Sequence, residues 1–198
     1  MQNAKGANMP KDTIVRTVKK ASGADGASYE EVTFEGYASN GVAVFVECTT
    51  DNNNRTVANI RAIFSKYGGN LGTNGSLEFI FDRKGVFTIA AEKVSMDLEE
   101  FEMELIDVGL EELEKEGEIV LAYTNFTDFS AMQKKLEELG VELQSAELQR
   151  IPNSTKALDV DKSKSVLNMI DKFEEDDDVQ NVFHNLEMTE ELMIAFEQ

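Results

Sequence analysis

Apolar positions recur along this chain with two different periods, and the switches between them mark out its elements. From Tyr29 to Tyr37 and from Val42 to Thr50 the residues are β-branched and aromatic, and the stretch Ala38-Ser-Asn-Gly41 between them reads as a hairpin turn. Two antiparallel strands follow. The period then lengthens: Val57, Ile60, Phe64 and Tyr67 form the apolar stripe of a helix that begins at Asp51-Asn-Asn-Asn54, where side chains can cap free amides, and stops at Gly68-Gly69. Ser76 to Phe81 alternates again and is expected to be a third strand. That makes ββαβ, with one helix and one strand missing from a split β-α-β arrangement.

A second unit opens at Gly85. A strand from Val86 to Ala91 leads to an acidic helix from about Asp97 to Val108, with Leu98, Phe101, Leu105 and Ile106 at helical intervals. Strands at Leu110 to Glu114 and Glu118 to Tyr123 follow, then a helix from Asp128 to Leu139 stopped by Gly140, then a strand from Glu142 to Ile151. This β-α-β-β-α-β order is complete in itself and ferredoxin-like. A helix from Asp161 to Phe173 and a strand near Val179 to Leu186 then supply what the first unit lacks, and Thr189 to Phe196 can add a last helical turn or two. Ahead of all this, Pro10 opens a short amphipathic helix carrying Ile14, Val15 and Val18, followed by the linker Ala21-Ser-Gly-Ala-Asp-Gly-Ala-Ser28. The expected fold class is therefore α+β: two ferredoxin-like α/β modules, the second inserted in the first, preceded by a remnant of a helical domain. The expected boundaries are 1–24 for the helical remnant, 25–84 plus 157–198 for the first module and 85–156 for the acidic insertion.

Charge divides the chain the same way. The net charge is −19, yet residues 1–84 carry ten Lys and Arg against nine Asp and Glu, while residues 85–198 carry nine against twenty-nine. An anionic partner is therefore welcome only toward the amino-terminal side. Two clusters stand out there: Lys5, Lys11, Arg16, Lys19 and Lys20 against Asp12 alone, and Arg55, Arg61, Lys66, Arg83 and Lys84 against Glu78 and Asp82. The twelve acidic residues between Glu92 and Glu118 read as a solvated helical face or as a docking surface for a basic protein partner.

Catalytic chemistry finds little footing. The single histidine, His184, sits in a predicted strand and the single cysteine, Cys48, in the apolar run Val42-Ala-Val-Phe-Val-Glu-Cys48, so no triad and no soft-metal site can be assembled. The run Glu174-Glu-Asp-Asp-Asp178 lacks the spaced ligands and central glycine of a calcium loop and reads as a solvated connector. Gly68-Gly-Asn-Leu-Gly72 follows a helix and enters a strand, the reverse of a phosphate cradle. No enzyme, metal or cofactor is expected. No run of about 18 apolar residues exists to span a bilayer and no signal peptide is visible, so no membrane partner and a cytoplasmic location are expected.

Several stretches taken together resemble the YebC family of bacterial and organellar regulatory proteins: Ala7-Asn-Met-Pro-Lys-Asp12 with Lys19-Lys20, Tyr29-Glu-Glu31 with Phe34-Glu-Gly-Tyr37, Thr50-Asp-Asn-Asn-Asn-Arg-Thr56, Phe64-Ser-Lys-Tyr-Gly-Gly-Asn-Leu-Gly72 and Phe81-Asp-Arg-Lys-Gly85. They occur in the family's order and spacing over essentially the whole chain. The resemblance implies a DNA-binding transcriptional regulator by customary assignment; relatives, including the mitochondrial translational activator of cytochrome oxidase, act instead in translation, where the partner is ribosomal RNA. Either use requires a phosphate backbone to be held, and the resemblance points to the two basic clusters as electrostatic anchors that position without reading bases. Family members usually begin with a further basic segment forming a three-helix domain. This chain starts within that domain's last helix, as a truncated piece or from a late gene start.

Overall fold

The computed structural model describes residues 28–196. The expected helix after Pro10, together with Lys5, Lys11, Arg16, Lys19 and Lys20, lies outside the described residues. The chain forms two compact units, one continuous from Arg83 to Ile151 and the other built from the segments before and after it.

In the discontinuous unit, β1 (Glu30–Tyr37) and β2 (Ala43–Thr50) form the expected hairpin, in register from Glu30↔Thr50 to Tyr37↔Ala43. Asn40 and Gly41 make the reversal with φ of 62° and 73°. The two-residue strand β3 (Asn70–Leu71) pairs with β1, and β8 (Val179–His184) pairs with β2, giving the order β3-β1-β2-β8. The strand that completes this sheet thus arrives from beyond the other unit.

Strand β2 is buried on both faces, which is why its sequence is a continuous apolar run and not an alternation. Val42, Val44, Val46 and Cys48 point into a core formed with helix α1 (Asn53–Lys66) and helix α4 (Val160–Glu174). Phe64 and Phe173 meet edge to face there with centroids 5.0 Å apart. Burying a ring such as Phe64 completely contributes roughly 2–3 kcal/mol by area. The short helix α5 (Glu190–Phe196) adds Leu192 to this core. Gly69 is required where α1 turns back onto β1, because a Cβ there would lie 2.5 Å from the Tyr37 carbonyl oxygen.

The other face of β2 presents Ala43 and Phe45, which pack against Leu77 and Phe81. Here the structure corrects the sequence reading. Residues 74–80 form a run of turns, and no strand spans Ser76 to Phe81. The segment is tied down by Glu35, a buried side chain on β1 whose carboxylate accepts from the amides of Gly75 at 2.7 Å and Leu77 at 2.6 Å. Asn153 adds two further ties, its amide donating to the Ile80 carbonyl at 2.8 Å and its side chain to the Phe79 carbonyl at 3.2 Å.

In the continuous unit the strands are β4 (Phe81–Ala90), β5 (Leu110–Glu116), β6 (Ile119–Asn125) and β7 (Leu143–Pro152), and the helices are α2 (Leu98–Ile106) and α3 (Phe129–Glu138). Strand β4 begins ahead of Gly85, so Arg83 and Lys84 belong to its first residues. The sheet order β5-β6-β4-β7 is the arrangement that the β-α-β-β-α-β reading anticipates. Both helices pack on one face around Phe87, Ile89, Phe101, Leu105, Met132 and Leu136. No helix among the described residues is long and apolar enough to cross a membrane.

Candidate nucleic-acid interface

The segment Thr50 to Thr56 leaves the end of β2 and starts α1, and its polar residues are organised around one carboxylate. Asn52 caps the helix, its side-chain oxygen accepting from the Arg55 amide at 3.2 Å. Thr56 donates its hydroxyl to Asp178 at 2.9 Å, Thr50 reaches the same carboxylate at 3.2 Å, and Arg55 Nη2 lies 3.0 and 2.8 Å from its two oxygens. Arg55 also pairs with Asp51 at 2.9 Å. Burial alone would raise the Asp178 carboxyl above the usual aspartate range; the hydrogen bonds from Arg55 and Thr56, with the Arg55 charge, outweigh it and hold the group below that range.

Two expectations change here. Asp178 is no part of a solvated connector: its side chain is 5% exposed, and it fixes the start of α1 across 122 residues of chain. Arg55, expected to be an electrostatic anchor for a phosphate backbone, is held in the fold by Asp178 and Asp51. A cleft of about 470 Å³ opens beside this cluster, lined by Tyr29, Asn59, Asp176 and Asp177 in addition to the acid–base residues.

The other predicted cations are placed as follows. Arg61 is exposed on the outer face of α1 and forms no ion pair among the described residues; Ala58, Ala62 and Ser65 surround it on that face. Lys66 lies at the end of the same helix with its ammonium 5.3 Å from the Tyr67 ring centroid. Arg83 rests over the Phe126 ring at 5.2 Å, with the guanidinium exposed. Lys84 is half-buried and pairs with Glu111 at 3.3 Å. Arg83 and Lys84 therefore sit on the continuous unit, and Arg55, Arg61 and Lys66 on the other.

Helix α1 differs in charge from every other described helix, for it carries Arg55, Arg61 and Lys66 and no Asp or Glu, whereas the nine residues of α2 include four Glu. A phosphate backbone approaching its outer face meets small side chains, two cations and no carboxylate on that helix, which lowers both the steric and the Coulomb cost of contact. On α2, Lys135 of α3 pairs with Glu104 at 2.5 Å, while Glu99, Glu100 and Glu102 face solvent.

His184 and Cys48 serve the fold. Burial lowers the His184 pKa from its ordinary value, and its Nδ1 accepts from the Leu186 amide at 3.2 Å. Cys48 is 2% exposed, and burial, reinforced by Asp176, Asp178 and Glu47, pushes its thiol up to about 12. A thiol so protonated and so covered is a poor nucleophile. We expect Cys48 to react with a chromogenic disulfide reagent at pH 8 only as fast as the protein opens, and within the mixing time in denaturant. Rapid labelling of the folded chain would contradict the placement.

Three comparisons bear on these observations. A family model described as the TACO1/YebC second and third domain matches residues 29–186. A probable transcriptional regulatory protein of Cytophaga hutchinsonii is 51% identical over 190 residues, covering 96% of this chain and 79% of that protein. A protein of the same description from Porphyromonas gingivalis is 49% identical over 190 residues, with 96% and 78% covered, and one from Parabacteroides distasonis is 51% identical over 186 residues, with 94% and 76% covered. Among solved structures, the conserved hypothetical protein Aq1575 from Aquifex aeolicus superposes with a TM-score of 0.79 at 39% identity, covering 96% of this chain and 79% of that one.

Proposed function

The chain belongs to the TACO1/YebC family, and from that membership we propose that it is a transcriptional regulator that holds DNA and catalyses no reaction. The observation that carries the reading is the near-50% identity, over nearly the whole chain, to proteins described as probable transcriptional regulators. The outer face of α1, a helix with no Asp or Glu of its own, supports it by offering Arg61 and Lys66 to a phosphate backbone within a chain of net charge −19. Arg83, exposed over Phe126, is a further candidate contact. Lys5, Lys11, Arg16, Lys19 and Lys20 are proposed to share the task on the strength of their clustering in sequence. Arg55 and Lys84 contribute only general positive potential, since carboxylates already engage them. The inert surroundings of His184 and Cys48 fit a non-enzymatic role, and a cytoplasmic location fits a regulator of this kind.

On duplex DNA the slope of log affinity against log salt becomes shallower by about 0.9 for every phosphate that a protein ceases to neutralise. The double variant Arg61→Glu/Lys66→Glu is therefore expected to bind duplex DNA more weakly and with a slope shallower by about two, at unchanged thermal stability. Reversal of Glu99 and Glu102 to Lys should leave affinity undiminished. An unaltered slope in the first variant would remove α1 from the interface. Crosslinking of the protein in cells, followed by sequencing of the bound nucleic acid, tests the target: recovery dominated by ribosomal RNA would overturn the transcriptional assignment.

A further inference from the structure

Phe79 is 73% exposed, the most exposed large apolar side chain among the described residues. A ring this open to water is ordinarily found on a loose loop, yet Phe79 stands on a tightly built one. Its carbonyl accepts from Asn153 Nδ2, the carbonyl of Ile80 accepts from the Asn153 amide, and the amides of Gly75 and Leu77 are held by the buried carboxylate of Glu35. Leu77, fully buried, and Phe81 anchor the segment on either side of Phe79 against Phe45. A carboxylate taken almost out of water to fix two loop amides is a costly device for a connector that has only to join two elements. Its effect is to hold one aromatic ring outward with little freedom left to give up on binding.

The surroundings of the ring indicate what it meets. In sequence Phe79 has polar neighbours, for Thr73, Asn74, Glu78 and Asp82 are exposed, and Ile80 packs in part against the small core beneath. A protein pocket is normally matched by a cluster of apolar neighbours around the anchor. A single rigid ring with a polar rim suits a planar partner that is apolar on its face and hydrogen-bonding at its edge, the description of an unpaired nucleobase. A fully paired duplex fits poorly, because a stacked step must be pried open at a cost of a few kcal/mol before a ring can enter.

We infer that Phe79 is a stacking platform for an unpaired base of the nucleic acid this protein binds, held in position by Glu35 and Asn153. The inference rests on the nucleic-acid reading above and specifies the form of the ligand. Since the chain contains no tryptophan, Phe79→Trp installs a single fluorescent reporter at the site. Titration of this variant with single-stranded oligodeoxythymidine is expected to quench its emission, and the matching fully paired duplex is expected to leave it largely unchanged. In parallel, Phe79→Ala should weaken single-strand binding about tenfold, the effect of removing one stacked base, with no change in thermal stability because the ring is already in water. Phe79→Tyr should bind like the parent and Phe79→Leu like the alanine variant.

Full binding by the leucine variant would show that bulk apolarity suffices and would overturn the stacking inference. So would absence of quenching by the single strand, or equal quenching by the duplex. If the parent protein binds duplex DNA through Arg61 and Lys66 while all Phe79 variants match it on the single strand, the platform fails and the regulator reading stands. If the parent binds no nucleic acid of either form, both fail.

Discussion

Asp178→Ala is expected to destabilise the protein by about 2 kcal/mol: the Thr50 hydroxyl loses its buried acceptor, a loss of about 1–3 kcal/mol, while Thr56 keeps the Asn52 carbonyl at 3.1 Å and the Thr50 hydroxyl at 2.8 Å within reach. Arg55, half in water, can be rehydrated and adds little to the loss. The start of α1 and the segment from Val179 should loosen together, being joined at this point. Urea unfolding measures the change, and a loss below about 0.5 kcal/mol would show that solvent substitutes for the carboxylate. The acid dependence has a definite sign. A carboxyl held below its ordinary value in the folded state contributes stability that is complete above the unfolded aspartate pKa and disappears as pH falls through the lowered folded value. The parent should therefore lose stability on acidification below about pH 4 faster than Asp178→Asn, whose amide does not titrate in that range.

Glu35→Ala is the second large effect. Its carboxylate is 3% exposed and accepts from two backbone amides, so truncation leaves the amides of Gly75 and Leu77 without partners under a covered loop, at a cost of about 2–4 kcal/mol. Glu35→Gln keeps one acceptor oxygen and turns the other into a donor that faces an amide donor, so it should recover only part of the loss. Hydrogen exchange resolves the site of the damage. The Gly75 and Leu77 amides should exchange much faster in Glu35→Ala, while amides in the centre of β6 keep their protection relative to global unfolding. Uniform acceleration along the chain would assign Glu35 to the general core instead.

The elements whose apolar spacing admitted a single period were legible before any coordinates. The β1–β2 hairpin, α1 with Ile60 and Phe64, the acidic helix with Phe101 and Leu105, and the return of the chain for α4 and β8 all followed from periodicity and from counting the strands and helices a sheet of this kind requires. Residues 76–81 were misread because Leu77, Phe79 and Phe81 alternate as a strand would, while Leu77, Ile80 and Phe81 are spaced as a helical turn would be. Local sequence satisfies both patterns, and only the buried Glu35 and the distant Asn153 decide between them. Asp178 was hidden for a related reason. Nothing local separates it from Asp176 and Asp177, and its partners Thr50, Arg55 and Thr56 lie more than a hundred residues upstream. The basic cluster was legible as composition only. Which cations are already matched by carboxylates depends on the tertiary neighbours of Arg55 and Lys84, and sequence spacing carries no trace of them.

The pairing of β2 with β8 has a consequence for biosynthesis. The continuous unit, Arg83–Ile151, has all its strands available while the chain is still being made, whereas the free edge of β2, bearing Val44, Val46 and Cys48, must wait until Val179–His184 has left the ribosome. For that interval the nascent polypeptide displays an unpaired apolar edge, the kind of surface that templates association between neighbouring chains on a polysome. Slow translation anywhere between Thr50 and Val179 lengthens that exposure.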